Sequence, residues 1–312
     1  MTEPALLGLR LVRDALVLPV QPGSRPGHAF TMGIRDQAGA PVPEAAFRRE
    51  GRDLADAPPR PPVRRLPGRH IYGGVLFQHF GHALVEGLSR AWALRDPAHR
   101  DLPPLWLRRG DRLGAPMRGL LDLLGLDAPA ERVVTEPLLV EELLVPAQGA
   151  EFGGGMHPAQ AAALAAASYG PVRAGRRVWL SRRALPAHLA RIEGEDEVEA
   201  LLTEAGWEVL APETLPLPAQ LAAIAGAARI AGFMGSAFHL LLLFDRVPAR
   251  VSLVSRRLSR DVVSAYGAIA AAKGFAQEVL PAAFDASGGQ GPRAALRLAD
   301  PAGLARRLLD GG

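Results

Sequence analysis

Residues 228–244 read ARIAGFMGSAFHLLLLF, an apolar run interrupted by GFMG at 232–235 and then resumed for the length of a helix. A short apolar run closed by glycine and followed by a helix-length segment reads as a buried strand, ARIAGF (228–233), feeding a helix over 235–244. The same unit recurs on both sides. Upstream lie a helix over 218–227, a strand at GWEVL (206–210), a helix over 195–205 and a strand at RRVWLS (176–181). Downstream come a strand at ARVSLVS (249–255) and a helix over 261–272. Consecutive strands joined by helices pair in parallel, so 171–290 is expected to be a doubly wound α/β domain of Rossmann-like type. A flexible SGGQGP (287–292) precedes a last helix expected over 301–309.

The first half has less rhythm. Residues 1–70 suggest short strands broken by prolines, and APPRPPVRRLPG (57–68) reads as a loop because its prolines oppose regular structure. Gly73 and Gly74 are expected to turn the chain into a helix over 78–95 that faces the core with Leu84, Leu88, Ala91 and Trp92. Apolar runs at 104–107 and 138–145 alternate with a helix near 116–125. The GGG at 153–155 precedes an alanine-rich helix opened by Pro158. Residues 1–170 therefore form the first of two expected domains.

Composition narrows the function. The net charge is +4, and Lys273 is the sole lysine among bases that are otherwise arginine. Those arginines are scattered among acids instead of gathered in one stripe, which argues against nucleic acid as a partner. With no cysteine, disulfides, thiolate catalysis and cysteine-ligated metals are excluded. No apolar run reaches the ~18 residues a membrane span needs. The acidic start of MTEPALLGLRLVRDALVLPV does not fit a secretory signal, so a cytoplasmic location is expected, with peripheral membrane contact left open.

Two constellations carry chemistry. In HFGHALVEGLSR, residues His79, His82, Glu86 and Arg90 are spaced three, four and four apart, along one stripe of a helix. A carboxylate one turn from a histidine can fix its tautomer and raise its basicity, as a general base requires; Glu86, raised in pKa by burial, could equally be that base. His79 and Arg90 would then contact substrate. The stripe could also be a plain surface ion pair, or with His79, His82 and Glu86 a metal site, although the metalloprotease spacing is absent. The second constellation is GFMGSAFH (232–239), where a glycine-rich strand-to-helix turn would offer the N–H groups of Gly235, Ser236 and Ala237 to a phosphate. His239 lies one turn inside, facing either ligand or core. Ser236 is not a nucleophile elbow, because Phe238 stands where glycine is needed, and the lysine of a nucleoside-triphosphatase loop is missing. Arg182, just beyond WLS, and Glu213, in the loop after the next strand, sit at the carboxyl ends of strands where ligands of open α/β sheets bind, with Arg183 the competitor of Arg182. His157, behind GGG, is a further substrate-side candidate.

Taken in order, these segments of residues 70–255 resemble the glycosyltransferase family 61 proteins. FGHALVEGLSRAW (80–92) matches that family's His-x-x-x-Glu/Asp helix at His82 and Glu86, and VWLSRR matches its Ser-Arg strand end at Arg182. ARIEGE (190–195) keeps Arg191 and Glu195 but has Gly194 in place of asparagine. APETLPLPAQLAAIAGAARIAGFMGSAFHLLLLF (211–244) matches at Glu213, Gln220, Gly235 and Ser236, with Met234 where many members have histidine.

The resemblance implies a GT-B-like fold, two Rossmann-like domains facing a cleft, with residues 291–312 packing back on the first domain. It implies an inverting transferase without an obligatory metal, moving sugar from a nucleotide-sugar donor, a UDP-sugar above others, to a glycan hydroxyl in surface polysaccharide synthesis. The alternatives are a non-catalytic sugar-nucleotide or glycan-binding protein, suggested by Gly194 and Met234, and a metal-dependent hydrolase built on His79, His82 and Glu86.

Overall fold

The computed structural model describes residues 7–22, 30–53, 56–186, 189, 191–256, 260–285 and 296–311. SGGQGP (287–292) lies outside them. The chain divides into two compact units, Met1–Ala166 and Ala167–Gly312.

The first unit contains β1 (Leu9–Pro22), β2 (Phe30–Arg35), the two-residue β3 (Arg48–Arg49) and β4 (Arg52–Asp53), β5 (Arg64–Leu76), α1 (Phe80–His82), α2 (Ala91–Leu94), β6 (Pro104–Arg108), α3 (Ala115–Leu124), β7 (Leu138–Pro146) and α4 (Pro158–Ala163). Its five-stranded sheet has the order β2-β1-β7-β5-β6. Pairings of β1 with β2 and β7 are antiparallel, and those of β5 with β6 and β7 are parallel. The sheet is therefore mixed, not the all-parallel Rossmann-like sheet expected.

Two expectations for this half fail for one reason, that irregular residues are absorbed as bulges. The proline-rich segment is irregular only in part, since β5 starts at Arg64 and runs through Pro67, where its register against β7 shifts between Leu66 and Arg69. A bulge is where a strand tolerates a residue without an N–H. Gly73 and Gly74 likewise lie inside β5 and do not turn the chain; its register against β6 shifts between Tyr72 and Gly74, and Gly74 has φ +115°. A Cβ on Gly73 would come within 2.6 Å of the Trp106 indole, so glycine lets that ring cross the strand.

The second unit contains β8 (Arg173–Leu180), β9 (Ile192–Glu193), α5 (Glu195–Glu204), β10 (Glu208–Leu210), α6 (Leu217–Ile224), β11 (Ala227–Phe233), β12 (Arg250–Val254), α7 (Arg260–Lys273), β13 (Gln277–Leu280), β14 (Leu296–Arg297) and α8 (Pro301–Asp310). Its main sheet has the order β10-β8-β11-β12-β13, parallel throughout. Counting strands within the sheet gives 2-1-3-4-5, the flavodoxin-like doubly wound order, whose direction reverses between β8 and β11. The mixed α/β class and the parallel second-half sheet agree with the sequence pattern. One element differs in kind: the segment after β11 is a 3₁₀ helix over Ser236–Leu243, not an α-helix.

On one face of this sheet, Trp179, Phe233, Val198, Leu202 and Trp207 share a core with Leu304, Ala305 and Leu308 of α8. The C-terminal helix, expected to pack on the first half, thus buries its apolar face against α5 and the sheet of its own unit. Asp300 caps it by accepting from the Gly303 N–H at 2.7 Å, and Arg229 Nη1 donates to the Leu308 carbonyl at 2.6 Å. These bonds satisfy orphan groups at both helix ends. Among the described residues no helix is long and apolar enough to cross a membrane.

Candidate active site

The expected helix over 78–95 is broken. After α1 the chain widens into a π-helical turn, Ala83–Gly87, passes through Leu88–Arg90 in a non-helical conformation, and resumes as α2. The π turn adds a residue to the helical period, a feature that recurs at functional sites. It keeps His82 and Glu86 together and sends Arg90 elsewhere.

Glu86 is 0% exposed. Arg49 of β3 clamps it with two charge-assisted bonds, Nε to Oε1 at 2.7 Å and Nη2 to Oε2 at 2.8 Å. His82 Nδ1 is 2.5 Å from the same Oε2. Burial pushes the Glu86 carboxyl toward its neutral form, but the bonds from His82 and Arg49 outweigh it and hold the pKa below the ordinary value. Glu86 is therefore an ionised acceptor with both oxygens engaged, and the expectation of a carboxyl raised by burial into the base range is overturned. An ionised carboxylate can only accept, so Nδ1 of His82 carries a proton, and in the neutral ring Nε2 is then the nitrogen with the lone pair. The His82 side chain is 39% exposed.

Around it, Phe152 packs with its ring 5.7 Å from His82 and lies under the Arg49 guanidinium at 5.6 Å. The Glu50 N–H donates to the Phe152 carbonyl, so the glycine-rich loop is tied to the strand that supplies Arg49. His79 is exposed, with its ring 6.3 Å from His82.

Arg90 does not face this pocket. It is 0% exposed, lies over the Tyr72 ring at 4.6 Å, and donates to the carbonyls of Pro146, Glu44 and Ala46. These bonds tie three backbone segments together, and the side chain has no exposed surface. His157 caps α4, its Nδ1 accepting from the Ala159 N–H at 3.1 Å.

In the second unit, Arg182 stands two residues beyond β8 and Gly235 two residues beyond β11, the neighbouring strands where the winding reverses. The Arg182 Nη1 packs against the Gly235 α-carbon, where any Cβ would collide with it. Its backbone N–H donates to Glu195 Oε1 at 3.0 Å and its Nη2 to the Leu189 carbonyl at 2.9 Å. Burial lowers the Arg182 pKa, against the opposing charges of Glu195, Tyr266 and Glu213. Arg183, the competitor, turns out to pair with Glu199 at 3.0 Å.

Glu213 is exposed in a 3₁₀ turn after β10. Gln220 closes the following turn, Nε2 donating to the Leu215 carbonyl. Ser236 is exposed and Ala237 half-buried at the start of the 3₁₀ helix, whose first bond runs from the Phe238 N–H to the Gly235 carbonyl. His239, by contrast, turns to the core. It is 6% exposed, with Nδ1 on the Ser236 carbonyl and its ring 5.6 Å from Tyr266.

The two departures from the family pattern have local explanations. Gly194 has φ +87° at the start of α5, a left-handed conformation that glycine and asparagine both adopt with little strain. The Met234 side chain is fully buried. At 234, just past the end of β11, a buried apolar side chain thus stands where many members carry histidine.

Sequence reasoning missed Arg49, which lies 37 residues from Glu86 and meets it only through the β3 loop. Phe152 was passed over as part of a glycine turn. The features above define a class, an α/β protein with a largely buried arginine beside a glycine at its parallel strand ends and, in its other unit, a histidine held by a buried carboxylate. The model of the Glycosyltransferase 61 family matches residues 80–251, more than half of the chain, and the protein belongs to that family. Membership implies a glycosyltransferase with a donor and an acceptor. No curated protein matches the chain.

Proposed function

We propose that the protein is an inverting, GT-B-type glycosyltransferase that moves a sugar from a nucleoside diphosphate donor to a glycan hydroxyl. The observation that carries this reading is the geometry of the His82–Glu86 pair: a buried carboxylate bonded to Nδ1 orients a partly exposed imidazole, whose Nε2 would accept the proton. In the proposed step, the acceptor hydroxyl gives its proton to Nε2 as its oxygen bonds to the anomeric carbon. The bond from that carbon to the diphosphate breaks, and the leaving charge passes to the diphosphate. Arg182 and the N–H groups of Ser236 and Ala237 would meet it, fixed donors whose orientation needs no reorganisation during reaction. Glu213, exposed near Arg182, would hold a ribose hydroxyl. His79 and His157 remain proposed acceptor contacts.

No obligatory metal is part of the proposal, a UDP-sugar is the favoured donor, and surface polysaccharide the favoured product. A hydrolytic metal on His79, His82 and Glu86 is disfavoured because the Arg49 guanidinium already occupies the carboxylate that a cation would need.

The test separates the two roles. His82→Ala is expected to cut turnover by roughly 10²–10⁴-fold, the usual contribution of a general base, with donor affinity unchanged in calorimetry. Arg182→Ala is expected to weaken nucleotide binding. If His82→Ala lowers donor affinity as much as turnover, the base assignment is wrong.

A further inference from the structure

Two residues beyond the end of β12 stands Arg256. β8, β11 and β12 are adjacent and in register, with Leu180 beside Gly232 and Phe233 beside Val254. Arg182, Gly235 and Arg256 thus leave three neighbouring strands at corresponding positions. With parallel strands ~4.8 Å apart, the two arginine backbones flank the glycine within roughly 10 Å of each other.

Both guanidiniums carry N–H groups that find no acceptor among the described residues. Arg256 Nε and Nη1 and Arg182 Nε are buried and have no hydrogen-bond partner among the described residues. Neither arginine forms an ion pair among those residues, whereas Arg183 and Arg176 nearby in sequence do. Glu195 is within electrostatic reach of both, but it accepts from the Arg182 backbone N–H. The Arg256 pKa is driven down to about 10, first by burial and then by the charge of Arg182. Burying two like charges side by side with unmade hydrogen bonds is unfavourable in the empty protein, and an anion bridging them would reverse that cost.

We infer that Arg256 is a second anion-binding residue and that, with Arg182 across Gly235, it forms a two-arginine cradle matched to a pyrophosphate instead of a single phosphate. This deepens the proposed donor site and rests on that reading for the nucleotide, though not for the anion. The donor class it selects is nucleoside diphosphate sugars over nucleoside monophosphate sugars. The signal was present in the sequence: Arg256 follows VSLV as Arg182 follows VWL, each two residues past a strand.

The test is calorimetry on the full chain at constant ionic strength with inorganic pyrophosphate, inorganic phosphate, UDP and UMP, using Arg256→Gln, Arg256→Lys and Arg182→Gln. Arg256→Gln is expected to weaken pyrophosphate and UDP by about tenfold or more, with UMP and phosphate changed much less and Arg256→Lys falling between. Without anion, Arg256→Gln is expected to melt no lower than the parent, because Nε and Nη1 make no hydrogen bond among the described residues that its loss would break. Pyrophosphate binding that depends on Arg256, without any nucleotide binding, would uphold the cradle and sink the donor reading. Weakening by Arg182→Gln but not by Arg256→Gln would sink the cradle and leave the donor reading intact. Absence of pyrophosphate binding in the parent, or a marked fall in the melting temperature of anion-free Arg256→Gln, would overturn the inference outright.

Discussion

Replacing Arg49 by methionine removes one partner of a buried ion pair while keeping the length of its stem. At a charge separation of ~4 Å and an effective dielectric of ~20, the lost attraction is about 4 kcal/mol. Breaking one side of a buried pair typically costs ~3–5 kcal/mol, against ~0–1 kcal/mol for an exposed pair. Glu86 is fully buried, Arg49 is 23% exposed and His82 retains its bond, so the low end applies, about 3 kcal/mol.

The pH dependence distinguishes this from a simple packing loss. In the parent the Glu86 pKa is depressed, so its stabilisation is present above the ordinary carboxylate range and lost as pH falls through the folded value. Without Arg49 the desolvation of the carboxylate is opposed by His82 alone, and the ionised form is penalised at neutral pH. The difference between parent and variant should therefore be largest near pH 7 and shrink toward pH 4–5. Urea unfolding of the full chain at both pH values, with Glu86→Gln and the double variant completing a cycle, measures it. A coupling of about 3 kcal/mol at pH 7 is expected, the cycle cancelling the Arg49–Phe152 contact. Additive single effects, or a loss independent of pH, would refute the reasoning.

Two further outcomes are expected. Glu195, 1% exposed, has its pKa raised from 4.5 to about 7, burial being the main cause and the Arg182 N–H bond opposing it. Its contribution to stability is present below 4.5 and lost as pH rises to about 7, so Glu195→Gln should raise stability at pH 8 by about 3 kcal/mol and change little at pH 4; a pH-independent effect in thermal melts would contradict this. Gly235→Ala should place a methyl where the Arg182 guanidinium lies and push that flexible side chain aside. Donor affinity is then expected to fall by about tenfold with a stability change under ~1 kcal/mol, and an unchanged affinity in calorimetry would show that Arg182 does not hold the donor.

What local chemistry encodes was readable in the chain itself. The alternation of apolar strands and helices from Arg173 to Lys273 announced the parallel sheet, because both periodicities are properties of a dozen contiguous residues. The same holds for His82 and Glu86, four residues apart, and for Arg182 and Gly235 at strand ends, since open parallel sheets place ligands there. Tertiary structure decided the rest. Pro67 and Gly73 look like breakers in a local window, and only the partner strand shows that they sit in bulges. Arg90 fits a helical stripe by count, yet a π turn redirects it into the core. Which of His82 and Glu86 remains accessible was set by Arg49 from a distant strand: the sign of a pKa shift depends on every charge around the group, and those charges arrive from segments whose separation in sequence says nothing about their distance in space.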